Sequence, residues 1–350
     1  MKRFHSRSSC VKEGKNMTIK DLSAQTGYSV GTVSRVLNNQ PNVSEKARKT
    51  ILEAARATGF QLNTNAKQLK QQHSNSILVL VKGTSNQLFG ALVEQLQLGI
   101  AKAAHPLTVD YLDEDCNEVH RALQLCLEKK PQGILFLGGN RQNFLADFDR
   151  IGVPCVLVTD DARGMPFENL SSVSSDDRLA SKMAIDALVS QGHRRFAVIG
   201  GDREVSDTTK LRYQGCLDAF SAYGITFDHD LDYEDVRFSY QDGYRAACNL
   251  LDRGRDFTAL FAMSDVMAIG AIRALNDRGL RVPEDVSVMG FDGLQVGDYI
   301  HPRLSTVCQN SRELARRSIE ILLENIETLH SPRYETVPVR IQLRESIQNV

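Results

Sequence analysis

Between Met17 and Phe60, apolar side chains recur at helical spacing in three short blocks. Ile19 and Leu22 share one face of the first. Val30, Val33, Val36 and Leu37 share one face of the second, and Ala47, Ile51 and Ala55 one face of the third. Each block opens on a residue suited to capping: Thr18 (with Asp21 three residues later), Ser29 and Ser44. A side-chain oxygen there accepts one of the amides that a helix start leaves unpaired. Gly27 ends the first helix, since glycine takes a left-handed backbone at no steric cost. Asn39-Gln40-Pro41-Asn42 separates the second block from the third. The pattern predicts two helices joined by a tight turn at Gly27-Tyr28, a helix-turn-helix, with a third helix behind.

From Ile77 onward the pattern changes. Short continuous apolar runs appear at 77–81, 108–112, 133–138, 155–158, 171–175, 195–200, 259–263 and 286–291. Longer amphipathic stretches lie between them, among them 88–104, 118–129, 177–191 and 266–278. Uninterrupted apolar strands alternating with helices predict parallel sheets covered on both faces. The pattern also echoes itself: QGILFLGGN at 132–140 and RRFAVIGGD at 194–202 are both strands running into a Gly-Gly turn. The expected fold is a small all-α helix-turn-helix head plus an α/β core of two parallel-sheet lobes. Ligands in such sheets bind beyond the carboxyl ends of the strands, and two facing lobes form a cleft able to close.

Charge sharpens the division. Residues 17–73 carry eight Lys/Arg against three acids, and the preceding tail is basic too, within a chain whose net charge is −1. The large remainder is therefore acidic. A basic module on an acidic body suits polyanion binding. The second helix would lie in the major groove of double-stranded DNA. Its exposed positions Ser29, Gly31, Thr32, Ser34, Arg35 and Asn38 suit phosphate contacts and guanine recognition. Periodicity alone leaves open a plain three-helix packing module with a solvated face.

Other classes lose support. No apolar run is long enough to span a membrane, and residues 1–16 have no apolar stretch of a secretory signal. They read as a disordered tail, with Met17 as an alternative start. The seven cysteines include no C-x-x-C pair, so reduced core cysteines in a cytoplasmic protein are expected, with no metal site. A phosphate loop, a G-x-S-x-G elbow and a dinucleotide fingerprint are missing, so no cofactor and no catalysis are expected. The competing readings are an α/β enzyme and a solute-binding protein for transport; the basic head suits neither.

The run T-I-K-D-L-S-A-Q-T-G-Y-S-V-G-T-V-S-R-V-L-N, residues 18–38, resembles the DNA-binding head of the lactose-repressor/galactose-repressor family. The resemblance makes Thr32 to Val36 the core of the recognition helix. It makes Val30 and Gly31 the positions that set operator preference. Leu62-Asn63-Thr64-Asn65-Ala66-Lys67-Gln68-Leu69 resembles the family's hinge helix, with Leu62 in place of its proline. On that likeness Asn63 and Ala66 belong to the hinge. Leu69 is the wedge that unstacks a base step in the minor groove.

The core resembles the family's periplasmic-binding-protein-like domain through SDVMAIGAIRALNDRGLRVPEDVSVMGFDG (264–293), SSDD (174–177), LRYQGC (211–216) and HPRLSTV (301–307). The implied domains are a head at 17–62, a hinge and linker at 63–75, and a core at 76–350. Lobe one takes about 76–175 and 308–335, and lobe two about 176–307 and 336–350. The resemblance makes Asp265 and Arg212 the leading effector contacts, Phe89 and Phe238 pocket aromatics, and Asp176 a weaker candidate. Thr159 stands where many sugar-responsive members have aspartate, with Asp160 one place later. Asp292, in G-F-D, is expected to be structural. A homodimer on a palindromic operator, answering to a small-molecule effector such as a sugar, is the implied partnership.

Overall fold

The structure, a computed structural model, describes residues 17–37, 43–58, 60, 75–83, 86–254, 256–328 and 330–350. The chain divides into two compact units, Met1–Gln72 and His73–Val350.

In the first unit, α1 (Ile19–Thr26), α2 (Val30–Leu37) and α3 (Glu45–Ala57) pack around Leu22, Val33, Val36, Ala47 and Ile51. Thr18 and Asp21 form a reciprocal cap: the Thr18 amide donates to Asp21 Oδ2 at 2.8 Å and the Asp21 amide to Thr18 Oγ1 at 3.3 Å. Gly27, at φ 73°, closes α1 by donating to the Ser23 carbonyl. Ser29 Oγ accepts from the Thr32 amide at 3.2 Å and so opens α2.

The second unit holds two six-stranded sheets. Lobe one contains β1 (Ile77–Lys82), α4 (Gln87–Lys102), β2 (Leu107–Leu112), α5 (Glu118–Lys129), β3 (Gly133–Leu137), α6 (Arg141–Asp147), β4 (Cys155–Thr159) and β5 (Leu170–Ser174). Lobe two contains α7 (Asp177–Ser190), β6 (Phe196–Gly200), α8 (Asp207–Ala222), α9 (His229–Asp232), β7 (Tyr233–Asp235), α10 (Tyr240–Asp252), β8 (Ala259–Ala262), α11 (Asp265–Asp277), β9 (Ser287–Asp292) and β10 (Ser305–Cys308). The chain then returns: α12 (Ser311–Glu327) and β11 (Tyr334–Thr336) complete lobe one, and β12 (Arg340–Gln342) completes lobe two.

The strand orders are β11-β5-β4-β3-β1-β2 and β12-β10-β9-β8-β6-β7. Every pairing is parallel except β10 with β12. Alternation explains the uninterrupted apolar runs. Ile77, Val79 and Val81 face α4 and α12, while Leu78 and Leu80 face α5 and α6. Both faces are buried, so no polar position is needed. In lobe two, α10 and α11 cross with backbone nearly in contact. A Cβ on Gly270 would lie 2.1 Å from the Tyr240 carbonyl oxygen, and one on Gly243 2.4 Å from that of Met267.

The chain crosses between lobes at 175–176, 309–310 and 337–339, all beside the edges formed by β5, β11, β10 and β12. Ser175 Oγ donates to Gln309 Oε1 at 3.2 Å, tying two crossings together. No helix among the described residues is long and apolar enough to cross a membrane.

Candidate functional site

In the head, α2 buries Val33 and Val36 and turns the other side outward. Ser29, Gly31 and Arg35 are exposed, Val30 is 42 % exposed, and Thr32 and Ser34 are half-buried. Ser29 Oγ and Thr32 Oγ1 lie 2.9 Å apart, so the first turn presents a pair of coupled hydroxyls. Thr18 is the exposed cap of α1. Amides and hydroxyls at helix starts suit phosphate oxygens. Asn38 and the hinge candidates Asn63, Ala66 and Leu69 lie outside the described residues.

In the core, the strands of both lobes run into loops at their carboxyl ends, and the first turn of α8 faces lobe one. Thr208 Oγ1 donates to Asp160 Oδ1 at 2.5 Å across the cleft. Asp160 follows Thr159, which is buried and left-handed at φ 79°. That backbone turn swings the next carboxylate toward lobe two. Burial, helped by Asp177 and Asp207, pushes the Asp160 carboxyl up to about 7 against the pull of Thr208.

One helical turn beyond Thr208 lies Arg212, which is buried. Its Nε donates to Asp177 Oδ1 at 2.7 Å and its Nη1 to the Met263 carbonyl. The guanidinium sits 3.7 Å above the Phe291 ring. These contacts fix the fork and leave Nη2 without a hydrogen-bond partner among the described residues. Asp292 follows Phe291 at φ 116°. Gln309 Nε2 donates to its Oδ1 at 2.9 Å, and Oδ2 has no partner among the described residues. Burial raises the Asp292 carboxyl to about 7, opposed mainly by Arg212. Thr209 Oγ1 is buried without a hydrogen bond, beside Gly201 and the Phe238 ring. The three uncommitted atoms are therefore a donor, an acceptor and a hydroxyl.

The other expected contacts are placed differently. Asp265 is 0 % exposed, and both its oxygens are engaged: Oδ1 by Thr306 Oγ1 and Oδ2 by the Leu294 amide, each at 2.6 Å. It ties α11 to the loop after β9 and does not line the cleft. Asp292, expected to be structural, stands beside Arg212 instead. Asp176 is an exposed cap whose Oδ1 accepts from the Leu179 amide at 2.9 Å, while its neighbour Asp177 turns inward to Arg212. Phe89 is buried under Gly138 and lines a cavity of about 430 Å³ with Asn86, Gln87 and Tyr111. Sequence reasoning passed over Thr208 and Thr209. Their spacing of four and three residues before Arg212 places all three on one helix face. Among the described residues no group of His, Cys, Asp and Glu is arranged to hold a metal ion.

Comparison with known proteins joins the two units. Residues 18–63 match the model described as bacterial regulatory proteins, lacI family, and residues 185–347 that of a periplasmic binding protein-like domain. The HTH-type transcriptional regulator MalR of Clostridium butyricum is 32 % identical over 95 % of this chain and 100 % of its own. The HTH-type transcriptional repressor CytR of Escherichia coli (strain K12) is 30 % identical over 89 % of this chain and 91 % of its own. Among solved structures, the transcriptional regulator CelR–cellobiose complex aligns with a TM-score of 0.70 at 27 % identity, covering 94 % of this chain and 99 % of that one. The lac repressor dimer bound to operator and the anti-inducer ONPF aligns with a TM-score of 0.77 over 95 % of this chain and 100 % of that one; at 23 % identity this is a likeness of fold. With a head matched to the family and a relative aligned along almost its whole length, this chain belongs to the lacI family of bacterial regulatory proteins.

Proposed function

We propose that the chain is an operator-binding repressor whose DNA affinity is set by an uncharged, polyhydroxylated small molecule held between the two lobes. One observation carries the effector class: Arg212 Nη2, Asp292 Oδ2 and Thr209 Oγ1 stand uncommitted beside contacts that hold the rest of each side chain in place. A diol donates to a carboxylate oxygen and accepts from a guanidinium at the same time. A phosphorylated ligand would meet Asp160, Asp177, Asp207 and Asp292, with Arg212 already paired to Asp177. Phe238 supplies an apolar face for a ring. Asp160 and Thr208 join the lobes at the ligand's edge, and Asp265 holds the frame.

In the head, Val30, Gly31 and Arg35 read bases while Ser29, Thr32 and Ser34 hold phosphates. A homodimer on a palindromic operator supplies two such helices. Asn63, Ala66 and Leu69 act in the minor groove, and effector binding changes operator affinity through this linker by about 1–3 kcal/mol. The chain works in the cytoplasm as a binder and performs no reaction.

The test begins with DNA selected from a random pool on the full chain. Binding is then followed by fluorescence anisotropy with neutral sugars, nucleosides and sugar phosphates. A neutral polyol is expected to shift the affinity, and Asp292→Asn to lose that shift while binding DNA as the parent does. Selected DNA bound no better than random DNA, or a response to sugar phosphates alone, overturns the reading.

A further inference from the structure

The three crossings lie at one edge of the two-lobed unit, beside β5, β11, β10 and β12. The opposite edge is formed by β2 in lobe one and β7 in lobe two. Just past the carboxyl end of β2 come three consecutive acids, Asp113, Glu114 and Asp115. Just past the carboxyl end of β7 comes Arg237. Arg237 reaches all three. Its Nε lies 2.6 Å from Glu114 Oε1, its Nη1 3.8 Å from Asp113 Oδ2, and its Nη2 donates to Asp115. We propose that Arg237 and the Asp113–Asp115 run form an electrostatic latch at the mouth of the cleft, which holds the lobes closed and must open for a ligand to pass.

Topology gives the latch leverage. It stands about four strand spacings, roughly 20 Å, from the hinge edge. A rotation of about 10° there separates the charges by roughly 3–4 Å, enough to bring water between them. Arg237 is the cation that acts on Glu114. With Arg237 the three acids bind lobe two; without it they face Asp242, which Arg245 partly neutralises at 2.6 Å but whose charge still acts on Glu114 in the same sense as Asp113 and Asp115. Burial and these three acids raise the Glu114 carboxyl, and Arg237 alone opposes them. Arg237 also immediately precedes Phe238, the ring beside Gly201 and Thr209, so latch and ligand wall move as one segment. Arg237, Asp113 and Asp115 are largely exposed and Glu114 is half-buried, so salt weakens the latch.

Backbone hydrogen exchange of the full chain without any effector tests this, so the latch can fail while the regulatory reading stands. Raising salt from about 0.05 to 0.5 M should speed exchange at 113–116 and 236–239, and also at 160–161 and 206–209 across the cleft. Arg237→Glu should raise those rates roughly fivefold at low salt and abolish the salt effect. The swap Glu114→Arg with Arg237→Glu should bring them back toward the parent. Parent-like exchange in Arg237→Glu overturns the latch. So does faster exchange confined to 113–116 and 236–239, which is loosening of two loops without opening of the lobes.

Discussion

Asp265→Ala separates two roles that look alike in the sequence. As a ligand contact, the residue would be lost with little change in stability. As the structure has it, the carboxylate is a buried clamp. Removal leaves the Leu294 amide buried without an acceptor, which costs about 1–3 kcal/mol. Thr306 Oγ1 loses its 2.6 Å partner but has the Val307 carbonyl at 3.3 Å, so its share is smaller. An offset comes from the carboxyl itself: burial and the neighbouring Asp292 hold it up at about 8, and both penalties vanish with the side chain. The expected net loss is about 1–3 kcal/mol, or a fall in Tm of roughly 2–5 °C for a core of this size. Urea unfolding at pH 7, followed by tyrosine fluorescence and far-UV circular dichroism, measures it. An Asp265→Ala variant that unfolds with the parent yet no longer responds to effector refutes the clamp and returns Asp265 to the ligand.

Three further outcomes are expected. Arg35→Ala should weaken binding to the selected DNA by about 1–3 kcal/mol and leave the helical signal of the head unchanged, as seen by anisotropy and circular dichroism. Asp160 has its carboxyl at about 7 in the fold, against an ordinary value near 3.8 once unfolded. The stability attached to its proton is present below the lower value and lost as pH rises through the upper one. Asp160→Asn should therefore gain on the parent in urea midpoint between about pH 5 and 8.5; a constant difference contradicts the raised carboxyl. Gly270→Ala drives a Cβ into the Tyr240 carbonyl, which belongs to backbone and cannot rotate away. It should cost about 1–3 kcal/mol, read from the same urea curves.

Burial on both faces made the inner strands legible, because it demands unbroken apolar runs such as Ile77–Val81 and Phe196–Ile199. The strands β7, β11 and β12 are three residues each, Tyr-Glu-Asp, Tyr-Glu-Thr and Arg-Ile-Gln, and lie at sheet edges where half the surface stays wet. Their pairing comes from the register of neighbours far away in the chain, which no local pattern records. The candidate site divides in the same way. Arg212 was legible through the likeness of LRYQGC to the family, not through its helix, which also carries Lys210 among acids and hydroxyls. The choice between Asp176 and Asp177 turned on about 100° of helical rotation. The choice between Asp265 and Asp292 turned on backbone: Asp292, at φ 116°, keeps one oxygen unpaired within the electrostatic reach of Arg212, while Asp265 begins a helix with both oxygens engaged.

The returning segment gives the fold an order in time. Lobe one lacks an edge strand and the α12 cover until residue 336 has been made, and lobe two waits for residue 342. The head needs nothing beyond its own three helices. At ribosomal speeds of about 5–20 residues per second, the head is complete roughly 15–60 s before either lobe can close. During that interval the nascent chain carries a finished DNA-reading module on an open, ligand-blind body. On the proposed function, a fragment released in that interval carries the reader without the completed sensor, and so answers to no signal.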